Sequence, residues 1–258
     1  MVDRDRYARQ LCFAPIGVAG QERLARARVL QVGCGALGSV AAEQLVRAGV
    51  GAIRLVDRDL LEASNRQRQG LYTEADVAAG LPKSVALAAH LQAINSACRI
   101  DAAVVQVEAR SLSTLLDEVD LVIDGTDNFA TRHLLNDACC QRGLPWVYAA
   151  CVGAYAISFP ILPGTTACLR CLQDELPAAG DGPTCETAGI IAPAVHLAAA
   201  WQVAEALKLL IGDRQALRQE LWACDCWQGR LQRLDLGAAR DPACRSCGAQ
   251  ADHPALHL

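Results

Sequence analysis

Val29-Leu30-Gln31-Val32-Gly33-Cys34-Gly35-Ala36-Leu37-Gly38 carries an apolar run straight into a G-x-G-x-x-G loop. An apolar run of this length reads as a buried strand, and the glycines read as the turn that leaves it. Residues 36–48 then keep helical periodicity and meet Gly49, a C-terminal stop. Residues 52–57 form a second apolar strand ending in Asp57, about 20 residues beyond the loop, as a βαβ nucleotide unit requires. Glycine lets backbone N–H groups approach phosphate at a helix N-terminus. A carboxylate at the end of the second strand accepts hydrogen bonds from a ribose, which suits NAD as well as ATP.

The alternation continues outward. A short surface helix is expected over 21–28 and a helix over 83–94, with Pro82 in its first turn. Strands are expected over 99–107, 121–124 and 146–149, with a helix over 128–142. The pattern predicts a Rossmann-like, doubly wound, mostly parallel sheet. After about residue 150 it changes. Residues 154–162 favour an extended chain, 174–183 a mobile Gly/Pro/Asp-rich loop, 190–210 one long helix, and 221–236 two short strands. The fold class expected is therefore α/β, with the parallel sheet continuing into a mixed or antiparallel C-terminal portion. The chain is read as a single domain, 1–258, with a nucleotide-binding half (1–150) and a second half (151–258).

Two CxxC pairs bracket that second half: Cys168-Leu169-Arg170-Cys171 and Cys244-Arg245-Ser246-Cys247. Four thiolates brought together make a closed tetrahedral site, so a structural Zn2+ clasp is expected. Other cysteines lie in apolar stretches (Cys34, Cys98, Cys139, Cys140, Cys151) and are read as small core hydrophobes. Cys224 and Cys226 alternate on an expected strand and are read as packing residues. Thirteen cysteines in a chain this long, with no secretory signal, do not make a disulfide scaffold.

The chain has 258 residues, 52% of them hydrophobic and 20% charged. A net charge of −4 argues against nucleic acid as a partner. No run of 18 apolar residues appears, so no membrane span is expected, and the mixed-charge start (Asp3-Arg4-Asp5-Arg6) has no apolar signal core. A cytoplasmic location follows as the expectation.

The segment after Asp57 separates the nucleotides. Ser64-Asn65-Arg66-Gln67-Arg68-Gln69 packs two arginines and three amides into six residues, and Lys83 opens the next helix. NAD enzymes need no such cluster, whereas a triphosphate under attack develops charge that cations offset. The plain alternative is a solvated basic face. Asp127, at the exit of another strand, is placed to hold Mg2+ beside phosphates or to cap the following helix.

Taken in order, Arg6-Tyr7-Ala8-Arg9-Gln10, GCGALG, SNRQRQ, Leu81-Pro82-Lys83, Thr126-Asp127-Asn128, CxxC, Thr184-Cys185-Glu186-Thr187-Ala188-Gly189 and CxxC resemble the ThiF/MoeB/HesA adenylyltransferases. The likeness spans Arg6 to Cys247 and leans to the ThiF type, with no rhodanese-like extension expected. It implies an enzyme that uses MgATP to adenylate the C-terminal Gly-Gly carboxylate of a small ubiquitin-like sulfur carrier, which the 151–258 half would bind. A cysteine desulfurase or rhodanese-type protein would donate sulfur. By motif position, the loop Gly33, Gly35, Ala36 and Gly38 faces the phosphates and Asp57 the ribose. Asn65, Arg68 and Lys83 hold the phosphates and Asp127 the Mg2+, Gln69 and Asn128 are further cofactor-binding residues, and Arg9 reaches a homodimer partner's site. Ala36 stands where a third glycine is often found, and Arg66 where the family usually has leucine. In ThiF-type enzymes a cysteine at Cys185 can bond to the carrier through a persulfide or acyl disulfide, although related enzymes keep it without evident need. The runner-up is an NAD oxidoreductase, and a third reading is a non-catalytic zinc-clasped module.

Overall fold

The structure, a computed structural model, describes residues 3–176, 184, 185 and 187–257. Of the expected 174–183 loop, residues 177–183 lie outside the described residues, as does Glu186 of the Cys185 motif.

In chain order the helices are α1 (Ala8–Leu11), α2 (Gly17–Leu24), α3 (Ala36–Ala48), α4 (Glu74–Ala78), α5 (Lys83–Ile94), α6 (Ala109–Leu115), α7 (Phe129–Arg142), α8 (Leu169–Leu172) and α9 (Ala192–Ile211). The strands are β1 (Arg28–Val32), β2 (Ala52–Val56), β3 (Arg99–Ala103), β4 (Leu121–Asp124), β5 (Trp146–Val152), β6 (Tyr155–Ile161), β7 (Glu220–Asp225) and β8 (Arg230–Asp235). They form one sheet in the order β3-β2-β1-β4-β5-β6-β7-β8. The first five strands are parallel and the last three antiparallel, so the expected class is the one observed.

Each face of the sheet has its own core. On one, α3, α5 and α9 bury Leu45, Leu55, Leu87 and Ile123. On the other, α6, α7 and the cysteine region cover Leu30, Val122, Trp146 and Phe159. The 20-residue α9 is long and apolar enough to cross a membrane by length and composition. It is instead the central helix of the first layer, packed on α3, β5 and β6, and its buried Gln202 donates to the carbonyls of Asp124 and Val147.

Several expected boundaries move. The helix expected at 21–28 spans Gly17–Leu24; it lies at the surface as expected, with Val18, Glu22 and Arg23 exposed, and buries one face through Gln21 and Leu24. On that face the Gln21 amide donates to the carbonyl of Ala48. Pro82 is the N-cap of α5, extended at ψ 141°, rather than part of its first turn. The strand expected to reach Val107 stops at Ala103, where its partner β2 ends. The helix expected at 190 starts two residues later because Ile190 bridges to Gly153. Cys226 lies just past β7 instead of on it. Helices α4 and α6 were not foreseen; Thr73 with Asp76 caps the first, and the hydroxyl of Ser111 accepts from the Glu108 N–H at the start of the second.

Candidate active site

The loop between β1 and α3 is shaped by close approach. Gly33 has φ +85°, and a Cβ there would meet the carbonyl oxygen of Gly125 at 2.5 Å. A Cβ on Gly38 would sit 1.8 Å from the carbonyl oxygen of Gly33. Both residues are glycine because the exits of β1 and β4 press against the first turn of α3. Gly35 differs. The nearest atom to a Cβ there is Gln69 Nε2 at 3.8 Å, so the protein itself leaves that space open. Among the described residues, the N–H groups of Gly35, Ala36, Leu37 and Gly38 meet no acceptor. Four free donors at a helix start, over a gap bounded by Gln69, form an anion cradle.

Asp57 follows directly on β2 and lies against this loop. Its Oδ2 accepts the Cys34 N–H at 2.7 Å and its Oδ1 the Asp59 N–H at 2.8 Å. Burial raises its carboxyl above the usual range, against those two donors and the charge of Lys83. Lys83, the first residue of α5, is buried and pairs with Asp59 Oδ2 at 2.9 Å.

The SNRQRQ segment is a 3-10 turn, Ala63–Asn65, followed by further turns. Asn65 Oδ1 accepts from Arg68 Nη2 at 3.3 Å and from Gln69 Nε2 at 3.2 Å. Arg66 turns to Glu74 at 2.7 Å. Arg68 makes only long contacts, the second to the Ser64 carbonyl at 3.3 Å.

Asp127 is exposed where the chain leaves β4, and Asn128 caps α7 by accepting the Thr131 N–H at 2.9 Å. Behind them is a buried pair absent from the sequence reading. Asp124 is fully buried and accepts both the N–H and the hydroxyl of Thr126, at 2.9 and 2.7 Å. Arg132 lies 3.3 Å from it and donates to the carbonyls of Thr126 at 2.7 Å and Ala149 at 3.4 Å. The rings of Phe129 and Tyr148 flank the guanidinium.

Cys185 belongs to the same place. Its thiol is 3.6 Å from the carbonyl of Cys151. Because β4 stops pairing with β5 at Val147, the carbonyls of Ala149 and Cys151 have no strand beside them. Arg132 takes the first and Cys185 the second. Burial pushes the Cys185 thiol up, with Arg68 and Arg132 opposing and Asp127 adding to the rise. Arg68 adjoins Gln69 at the edge of the cradle, Asp127 follows Thr126, whose nitrogen a Cβ on Gly33 would meet at 3.1 Å, and the charges of Arg68 and Asp127 both act on the Cys185 thiol. The structure does not bring Arg9 there. Gln10 donates to the Ala48 carbonyl at 2.8 Å, and Tyr7 packs on Gly49. Both mark the far end of the 13-residue α3, about 20 Å from the loop.

The second constellation is the cysteine clasp. The sulfurs of Cys168, Cys171, Cys244 and Cys247 all lie within 4.8 Å of one another. Three of the separations are 3.8, 3.6 and 3.4 Å. Four sulfurs about 2.3 Å from one ion at tetrahedral corners stand about 3.8 Å apart, so the set fits a thiolate-bound metal. Asn136 Nδ2 approaches Cys168 Sγ at 3.6 Å, and the Ser246 N–H approaches Cys244 Sγ at 3.4 Å. The Cys140 thiol, then that of Cys171, draws Cys168 down to about 7. Cys140 packs against the second core beside the cluster. The residues inside the two knuckles meet through α7: Arg170 donates to Ser246 Oγ at 2.9 Å and pairs with the buried Asp137 at 3.3 Å. The signal available in the sequence was polar residues one helical turn apart, 132 with 136 and 133 with 137, on an otherwise buried helix.

Comparison with known proteins places the chain in a family. The family model described as ThiF family matches residues 7–246. The chain is 45% identical over 251 residues to the sulfur carrier protein ThiS adenylyltransferase of Bacillus subtilis, covering 97% of this chain and 73% of that protein. It is 39% identical over 249 residues to the sulfur carrier protein adenylyltransferase of Thermus thermophilus, covering 95% and 90%. Among solved structures, E. coli MccB with ATP superposes with a TM-score of 0.81 at 26% identity, over 95% of this chain and 74% of that one. With the family model spanning nearly its whole length and such relatives on either side, the chain belongs to the ThiF family.

Proposed function

We propose that the protein uses ATP to adenylate the C-terminal carboxylate of a small ubiquitin-like sulfur carrier. The observation that carries this reading is the open row of N–H donors from Gly35 to Gly38, with Arg68 at its edge and the charges of Arg68 and Asp127 acting on the Cys185 thiol. The names of the Bacillus and Thermus relatives supply the carrier as substrate class.

In this mechanism the Gly35 and Ala36 N–H groups receive the phosphates, within the loop set by Gly33 and Gly38. Asp57 faces the ribose. Asn65, Arg68, Gln69 and Lys83 neutralise the triphosphate, and Lys83 exchanges Asp59 for it. Asp127, steadied by Asn128, would hold Mg2+, which supplies further charge neutralisation when bound. The carrier's carboxylate attacks the α-phosphate, pyrophosphate leaves, and an acyl-adenylate remains. A carboxylate is already an anion, so the site needs positioning and charge more than a base. Cys185 then serves the later sulfur step, with a desulfurase or rhodanese-type donor. Zn2+ suits the clasp, which leaves no ligand position open and so plays a structural part. Arg9, far from its own loop, serves the site of a second subunit in a homodimer.

The test is ATP–pyrophosphate exchange. Exchange that depends on a carrier ending in a free Gly-Gly is expected. A carrier-independent protein that instead binds NADH with a fluorescence change would replace this reading with the oxidoreductase one.

A further inference from the structure

We propose that Tyr72 is a positioning residue for the nucleotide: its phenol fixes the Cys34–Gly35 peptide so that the Gly35 N–H faces the phosphate. The proposal rests on the ATP reading of the loop and adds the residue that orients it.

Tyr72 is buried, and its Oη donates to the Cys34 carbonyl at 2.6 Å. A second carbonyl, that of Lys83, lies 3.2 Å from the same oxygen. The carbonyl of Cys34 and the N–H of Gly35 belong to one planar trans peptide, so they point in opposite directions. Drawing the carbonyl inward to Tyr72 turns the N–H outward, and there it meets no acceptor among the described residues. The preceding peptide is fixed at both ends: Gln31 donates to the Gly33 carbonyl at 3.1 Å, and Asp57 accepts the Cys34 N–H at 2.7 Å. Two successive peptide planes are thus held from within the protein, and the first free donor is the one at Gly35. Gly35 lacks a side chain to resist a flip of its peptide, so without the phenol nothing holds the second plane. Burial keeps the phenol protonated, so it remains a donor at any pH the fold tolerates.

Tyr72→Phe removes the hydroxyl and keeps the ring. Equilibrium titration with α,β-methylene ATP and with adenosine separates phosphate from nucleoside binding. Loss of one buried hydrogen bond is expected to weaken the analogue about tenfold, with adenosine binding unchanged and the melting temperature within a few degrees. An analogue affinity equal to wild type overturns the proposal, and so does an equal loss for both ligands, which would mean general damage to the site. A second measurement needs no variant: amide hydrogen exchange at Gly35 in the wild-type protein. It is expected to be fast alone and slowed by saturating analogue. Exchange at Gly35 that ignores the bound analogue also overturns the proposal. A wild-type protein that binds neither ligand would instead remove the ATP reading on which this one stands.

Discussion

At the glycine loop the N–H groups of Gly35 and Ala36 meet no partner, and Arg9 makes no ion pair among the described residues. At the cysteine clasp the reverse holds. Asp137 alone accepts from Ser246 and from the Ala255 N–H at 2.8 Å and pairs with Arg170 at 3.3 Å, all fully buried or nearly so. Helix α7 serves both regions, with Asn128 at its cap and Asn136 and Asp137 inside it. The difference separates two uses of polar groups. Around Asp137 the satisfied groups hold the chain in one shape, while the free N–H groups of the loop face open space where a ligand can meet them.

The largest effect should come from opening the closed region. Cys244→Ser removes one thiolate of four, and structural zinc sites contribute on the order of 10 kcal/mol of folding free energy. Metal content and melting temperature are expected to fall together. A zinc-free variant that melts like wild type would show that the clasp does not hold the fold.

Next is the open region. Asp127→Ala should reduce ATP–pyrophosphate exchange at least about a hundredfold, because triphosphate charge is left uncompensated, while the melting temperature stays put. Arg9→Ala should be inactive in the same assay if Arg9 works across subunits. Mixing the two variants then regenerates about a quarter of wild-type sites by random twofold reassortment. Absence of recovery after confirmed subunit exchange would take Arg9 out of the shared site.

A finer contrast falls inside the open region. Cys185→Ser is expected to keep exchange within about threefold, since an acyl-adenylate needs no thiol to form, yet to lose carrier thiocarboxylate. Equal loss of both activities would make Cys185 part of the first step.

The smallest effect concerns His133, fully buried on α7 with no hydrogen-bond partner for either ring nitrogen among the described residues. Burial first, and then the Arg170 charge, lower it to about 4. An unfolded imidazole titrates near 6.5, so between these values the unfolded chain binds the extra proton. The stability this neutral ring allows is fully present above about pH 6.5 and is lost as pH falls toward 4. His133→Leu should therefore gain on wild type by a few degrees of melting temperature on going from pH 7.5 to pH 5. Parallel melting curves at the two pH values would assign the acid sensitivity elsewhere.

The parallel half was legible because its signals are local. The apolar run of β1, the glycine turn and the stop at Gly49 each lie within one element, and α3, α5 and β4 begin and end where their residues imply. The cysteine set was legible for another reason, since thiolates at knuckle spacing have few other uses in so long a chain. What stayed hidden was held by contacts distant in sequence. Tyr72 sits in a turn with no motif, and its meaning depends on a carbonyl 38 residues away. Arg132 belongs to no motif, and its partners Asp124, Thr126 and Ala149 all lie outside its own helix. Gln21 is buried against the carbonyl of Ala48, 27 residues away.

The glycines of the loop have separate owners. Gly33, Gly38 and Gly125 are demanded by the chain itself, since any side chain there strikes a backbone atom within 3 Å. Gly35 has open space in front of it and a negative φ. Lineages selected for solubility alone would therefore keep the first three unchanged and let the fourth drift toward alanine or serine. A ThiF-like descendant that has given up ATP should carry that mark long before its fold decays.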